Sequence, residues 1–460
     1  MTARHASFGA FVAAAADAGR LVVQPRMGFG DPRLMRAGLE RTRAATATTA
    51  GTLTVDSYTR VGDLAAARAA VADGARLNGY PIATHPASVT RALLEGLAGD
   101  DFPVQVRHGS ARPEAIVRAL TAAGLDATEG GPVSYCLPYG RIPLRRSVAA
   151  WAHACELLAG AVRPGSVPHV ESFGGCLLGQ LCPPGLLVAL SVLECLFFVQ
   201  HGIRSVSLSY AQQTHPGQDE EAVRALRRLA AEFLPAGVDH HVVLYTYMGV
   251  HPRTPHGATR LLEASARLAV RSGAGRLIVK TTAEAHRIPT VEENVRALET
   301  AAAAAALTGP SVAPEGLDGS DADGGEVLRE ARTLIETVLD IDPDLSRALP
   351  AAFERGLLDV PFCLHPDNPG RSRGLVDPTG RLRWAATGGM PIGADVTTAA
   401  PLTADGLLAA LHHVARRFDS PPPAPEGGHD RPPAARLTVR PPAPTPTSAS
   451  TSASASTTVT

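Results

Sequence analysis

The chain has little of what several functional classes require. Its formal charge is −1, from 43 Lys and Arg against 44 Asp and Glu. That leaves no electrostatic footprint for nucleic acid or an anionic membrane surface. The cysteines (Cys136, Cys155, Cys176, Cys182, Cys195 and Cys363) include no CxxC pair. They read as reduced thiols of a cytoplasmic protein. The histidines show no metal-ligand spacing and no HExxH occurs, so no metal is expected on this chain. Gly28-Phe29-Gly30 falls short of a GxGxxG fingerprint, and no elbow supports a Ser-His-Asp triad. The N-terminus has no apolar h-region. The longest apolar run, 186–199, contains Glu194 and is shorter than the roughly 20 residues of a membrane span. It reads as a buried helix opened by Pro183-Pro184-Gly185, in a protein with no membrane association.

What is present is an alternation. Strand-like runs at 20–25, 52–56, 80–84, 103–107, 168–172, 204–209, 241–247 and 276–280 are rich in Val, Ile and Leu. Helical stretches follow at 31–46, 61–76, 87–98, 112–123, 144–162, 184–201, 218–234, 256–272 and 291–307. Roughly eight repeats predict an α/β protein, a (β/α)8 TIM barrel over 1–307. The Gly-, Pro- and Asp-rich segment 308–326 predicts a flexible loop. Helices at 327–348 and 404–417 sit in a region, 327–419, expected to cap the barrel. The Pro/Ala/Ser/Thr-rich segment 420–460 predicts a disordered tail, since it has too little apolar surface to offset chain entropy.

Charged residues stand at the predicted strand ends: Arg26, Arg60, Arg107 and Lys280. Polar groups at other ends include His85, Glu171, Ser209, Tyr245 and Tyr247. In a (β/α)8 barrel these ends form the functional face. A charge beside an apolar strand must be neutralised, and guanidinium forks match carboxylates two bonds at a time. Three guanidiniums there ask for a small dicarboxylate. Glu129, beside Gly130-Gly131, is expected on a sharply turned loop with Tyr135, Pro138 and Tyr139 following.

The strings Gln24-Pro25-Arg26-x-Gly28, Thr54-Val55-Asp56-x-Tyr58-Thr59-Arg60, Leu77-Asn78-Gly79-Tyr80-Pro81, Gln105-x-Arg107-His108-Gly109 and Glu129-Gly130-Gly131 with Ser134-Tyr135-x-x-Pro138-Tyr139 run in order along the chain. Later come Glu171-x-Phe173-Gly174, Tyr247-Met248-Gly249, Ile278-Val279-Lys280-Thr281 with Glu284-Ala285, and Asp359-Val360-Pro361-Phe362. Over about residues 20–390 this pattern resembles the epsilon (large) subunit of glutamate mutase, also called methylaspartate mutase E. The resemblance implies a cytoplasmic isomerase. It would use adenosylcobalamin for the radical rearrangement of L-glutamate to (2S,3S)-3-methylaspartate.

By motif position, Arg26, Arg60 and Arg107 would hold the substrate carboxylates and Glu129 the amino group. Tyr135 and Tyr139 would hydrogen-bond the substrate, with Glu129, Arg107 and Tyr139 closest to the chemistry. Gly28, Asn78, Pro138, Phe173, Met248, Lys280 and Glu284 would face the cofactor. Cobalt ligation in this family uses Asp-x-His-x-x-Gly. Here Asp239-His240-His241 lacks the glycine. A separate small cobalamin-binding sigma subunit (methylaspartate mutase S chain) is therefore expected, in an assembly of two large and two small subunits. The chain departs from the family pattern at Tyr245 and Ala283, each in place of a histidine, at Pro132 for a glycine and at Cys136 for an asparagine. The Ala- and Arg-rich composition suggests a high-GC bacterium feeding 3-methylaspartate to a secondary metabolite. The alternatives are a non-catalytic paralogue that binds a dicarboxylic amino acid or a partner, and a cofactor-free lyase.

Overall fold

The computed structural model describes residues 7–138, 140–161, 165–174, 181–309, 325–393 and 402–421. Eight parallel strands follow one another: β1 (Val22–Gln24), β2 (Gly51–Thr54), β3 (Val104–Arg107), β4 (Ala127–Glu129), β5 (His169–Glu171), β6 (Ser205–Ala211), β7 (Asp239–Tyr245) and β8 (Arg276–Ile278). Each pairs with its sequence neighbour from β2 to β8, and β8 returns to β1. A parallel bridge between Val23 and Thr49, just ahead of β2, brings the ends together. The result is a (β/α)8 barrel with helices outside.

Local chemistry starts and stops those helices. Asp31 accepts from the Arg33 amide at 2.7 Å ahead of Pro32, and Arg41 and Arg43 lie in the last turn of Pro32–Arg43. Thr290 and Glu293 form a reciprocal capping box on Val291–Ala306. The apolar run is the helix Pro184–Gln200, buried almost all round. It packs under Pro216–Phe233 on one side and Gly325–Leu339 on another. The outer elements tie down by ion pairs, Arg332–Glu232 at 2.6 Å and Arg381–Glu221 at 2.8 Å. Asp419 holds the Arg253 and Thr254 amides at 2.9 and 3.0 Å. Among the described residues no helix is long and apolar enough to cross a membrane.

Several expectations need correction. Residues 80–84 are not a strand: Tyr80 makes one bridge, to Val55, and Pro81 has no N–H for a ladder. The strand in its stead is β4, three residues with no run of branched apolar side chains to announce it. Glu129 therefore ends a strand and is not a loop residue. The expected helix 61–76 is two, Ser57–Val61 and Leu64–Ala72, parted at Gly62 with φ 81°. The helix at 327–348 breaks into Gly325–Leu339 and Leu345–Arg355 around Pro343, and that at 404–417 into Ala404–Leu411 and His413–Asp419. An antiparallel ribbon, Arg373–Val376 with Leu382–Ala386, was not foreseen. Of the expected loop, 310–324 lie outside the described residues, as do 422–460 of the expected tail.

The barrel interior is polar. Alternation puts Val23, Leu53, Val106, Val170, Leu208 and Leu277 into the hydrophobic core, and sends their neighbours to the axis. There Arg276 meets Glu171 at 2.5 Å, Gln24 at 2.5 Å and Ser207 at 3.0 Å. Gln105 donates to Glu171 at 3.1 Å. Below, the helix Phe8–Asp17 crosses the strand starts. The Phe8 ring stacks on His169 (centroids 5.0 Å apart) and lies 4.7 Å from the Arg276 guanidinium. Removing one partner of a buried ion pair strands the other's charge. Arg276→Met should therefore lower unfolding free energy by about 3–5 kcal/mol. A urea midpoint unchanged from wild type would count against this account of the axis.

Candidate active site

One layer above Arg276, four strand ends converge. β3 delivers Arg107, β4 Glu129, β5 Glu171 and β7 Tyr245, all buried. Arg107 Nη2 lies 2.5 Å from Glu129 Oε2 and donates to the Tyr245 hydroxyl at 3.0 Å. Its Nη1 is 3.7 Å from Glu171 Oε1. Tyr245 hydrogen-bonds Glu171 and lies 3.0 Å from Glu129 Oε2. The other Glu129 oxygen accepts from Tyr135. The Phe173 ring packs against Tyr135 at 4.7 Å and edge-on against Tyr245 at 5.5 Å.

This layer holds two carboxylates and one guanidinium, and Arg276 from the layer below supplies the second positive charge. Burial pushes the Glu129 carboxyl up, and Arg107 offsets part of that push. Burial also acts on Glu171, but Arg276 and Arg107 outweigh it and keep the carboxyl ionised, below the usual carboxylate range. Burial disfavours the Arg107 cation too, yet Glu129, Tyr245 and Glu171 keep it firmly protonated.

Above the layer opens a cavity of about 560 Å³. Its walls bring together Arg26, Gly28, Arg60, Asn78, Arg107, Glu129, Tyr135, Phe173 and Glu284 from the sequence-predicted set. Arg26 lies 3.8 Å from Glu284, and Lys280, the single lysine of the chain, also lies 3.8 Å from Glu284. Arg60 rides on Ser57–Val61, which buried Asp56 caps through the Tyr58 and Thr59 amides at 2.9 and 3.0 Å. Its Nε donates to the His108 carbonyl at 3.0 Å. The Asn78 side-chain Oδ1 accepts from the Ser57 amide at 3.0 Å, so it steadies the same helix. Gly28 allows close approach, since a Cβ there would sit 2.2 Å from the Thr54 carbonyl oxygen. Gly130, at φ 127°, leaves room for the Tyr135 and Trp151 rings.

Other predicted residues fall elsewhere. Pro138 lines a separate cleft with Val360, Pro361 and Phe362, and is not part of this cavity wall. Met248 is half-buried against the hydrophobic core and is not on the wall either. Lys280 is buried and reaches the wall through Glu284. Tyr139 lies outside the described residues. Sequence reasoning assigned no role to three residues of the site. Glu171 and Tyr245 stood at strand ends, and that position was their signal. Glu194 carried a signal too, a lone carboxylate in an apolar helix. Its Oε1 accepts from the Val133 and Ser134 amides at 3.0 and 2.8 Å and holds the turn that carries Tyr135.

The family model of the methylaspartate mutase E chain matches residues 3–402. The chain belongs to that family. Relatives named glutamate mutase epsilon subunit include one from Halobacterium salinarum, 33% identical over 349 residues, covering 74% of this chain and 71% of that protein. One from Yersinia enterocolitica is 30% identical over 356 residues, covering 75% and 73%. One from Escherichia coli O157:H7 is 28% identical over 354 residues, covering 75% and 73%.

Among the described residues several buried imidazoles are held neutral, His241 with them. Burial, then neighbouring cations, lowers His108 to about 3 (Arg60, Arg107), His169 to about 3 (Arg276) and His251 to about 3 (Lys280). The folded chain refuses protons that the unfolded chain takes up near 6.5, so these groups contribute stability that is lost as pH falls from 6.5 toward 3. Glu194, Asp219 and Glu330, raised to about 7 by burial, act in the opposite sense. The histidine contribution is therefore read as a difference. His169→Gln should lose less stability than wild type between pH 6.5 and 4.5 in urea titrations. Parallel slopes would show that His169 is not held neutral.

Proposed function

We propose that the chain is the large, catalytic subunit of an adenosylcobalamin-dependent glutamate mutase, an isomerase converting L-glutamate to (2S,3S)-3-methylaspartate. The observation that carries this reading is the grouping of Arg26, Arg60 and Arg107 with the buried Glu129 carboxylate around one cavity. Three guanidiniums answer two carboxylates, and Glu129 with Tyr135 answers one ammonium. A dicarboxylic amino acid has that charge pattern. Arg107 is fixed and dry, so its fork would orient one carboxylate firmly. Arg26 and Arg60 are half-exposed and would receive the other carboxylate nearer the mouth.

The residues present fit a cofactor whose metal is ligated elsewhere. His240 and His241 sit at the start of β7, at the opposite end from the cavity, and His241 stacks over His169 at 5.3 Å. On this reading the cobalt ligand would come from a small cobalamin-binding sigma subunit, in an assembly of two large and two small chains, as the family resemblance implies. Glu284, on the cavity wall, and Lys280 beside it offer an acceptor and a donor for ribose hydroxyls. When bound, the cofactor supplies a carbon-centred radical that takes a hydrogen atom from the substrate. The chain's own work is to anchor both ends of the substrate while its carbon skeleton rearranges, and to keep water away from the buried end.

The deciding experiment combines the chain, the cognate small subunit, adenosylcobalamin and L-glutamate, and follows 3-methylaspartate. Product should require both the partner and the cofactor. Arg107→Lys should cut turnover by at least ~100-fold while the chain still folds, because a lysine keeps the charge but cannot make the paired charge-assisted bonds. No product with the partner bound would leave a binding protein for a dicarboxylic amino acid in place of an enzyme.

A further inference from the structure

The Tyr245 hydroxyl stands between both carboxylates of the buried layer. It accepts from Arg107 Nη2 at 3.0 Å, lies 3.0 Å from Glu129 Oε2, and contacts Glu171 Oε1. A phenol has one hydrogen, so it serves one carboxylate at a time. The two carboxylates are not equally dependent on it. Glu171 has Arg276 at 2.5 Å and Gln105 at 3.1 Å on its other oxygen. Glu129 has Arg107 on one oxygen and Tyr135 on the other.

A ligand carboxylate that takes the Arg107 fork removes the charged partner of Glu129. A buried carboxylate left with one phenol would be driven to take up a proton, and would then be a poor partner for an ammonium. Groups facing Tyr245 are Arg107 from β3, Glu129 from β4, Glu171 from β5 and the Phe173 ring, with Arg276 of β8 behind Glu171. We propose that Tyr245 is a positioning residue: it turns its hydrogen from Glu171 to Glu129 when a ligand carboxylate occupies Arg107. It thereby readies Glu129 for the ammonium of the same ligand. The phenol keeps its proton throughout; a hydrogen bond changes partner and no covalent bond changes. Tyr245 would thus govern selection of amino acids over plain dicarboxylates. This rests on the glutamate reading of the cavity.

The test is calorimetric titration of the full chain with L-glutamate and with glutarate, the same dicarboxylate without the amino group. Tyr245→Phe keeps the ring against Phe173 and over Arg107, 5.0 Å away. It should weaken L-glutamate by about tenfold or more, the size expected for a hydrogen bond to a charged group, and glutarate by less than about threefold. Adding Tyr245→Phe to Glu129→Gln should change L-glutamate binding no further. Equal weakening of both ligands would mean a merely structural role and would overturn the proposal. Unchanged or tighter L-glutamate binding would overturn it as well. Wild-type chain that binds neither ligand would instead defeat the glutamate reading, and this inference with it.

Discussion

Charge matching along a dry barrel axis is the constraint on which the rest depends. From floor to cavity the order is Arg276, Glu171, Arg107, Glu129. Each ion would carry a desolvation penalty of several kcal/mol if left alone inside the barrel. The members therefore settle each other's positions. Gln24, Gln105 and Ser207 pin Arg276 from the sides, and the Phe8 ring closes the axis from below. Arg107 is consequently presented to the cavity by a stack of neighbours and does not depend on the loops around it.

The cavity has two ends of different character. At the buried end the ion pair of Arg107 with Glu129 is shielded from water. At the mouth Arg26, Arg60 and Glu284 are solvated and more adaptable. Support for both ends comes from residues that do not line the cavity. Asp56 caps the helix that carries Arg60, and Glu194 holds the turn that carries Tyr135. A buried floor with a solvated rim suits a ligand recognised at both ends.

Much of the architecture was legible from the chain. Seven of the eight strand positions, most helices between them and Arg107 at its strand end follow from apolar runs, caps and glycines, whereas Arg60, expected at a strand end, lies on the short helix Ser57–Val61. The buried helix at 184–200 could be read because an apolar run with one carboxylate is too short for a membrane and too apolar for a surface. The failures have physical causes. β4 is three residues long and spells Ala-Thr-Glu, so periodicity has nothing to register. Tyr80-Pro81-Ile82 has apolar residues but no amide at Pro81, so it cannot join the ladder. Pro138 and Met248 lie near cavity residues in sequence, yet turns direct them elsewhere.

The linear chain by itself determined the strand and helix alternation, the barrel class and which residue types stand at strand ends. Those properties come from local backbone preference and from the spacing of apolar side chains, which act over a few residues. The tertiary structure decided which charges face one another. Arg276 and Glu171 are 105 positions apart, and Tyr245 and Glu129 are 116 apart. No local rule connects such pairs. Closing the barrel places them on one axis, where the energy of an unmatched buried charge leaves them no other arrangement.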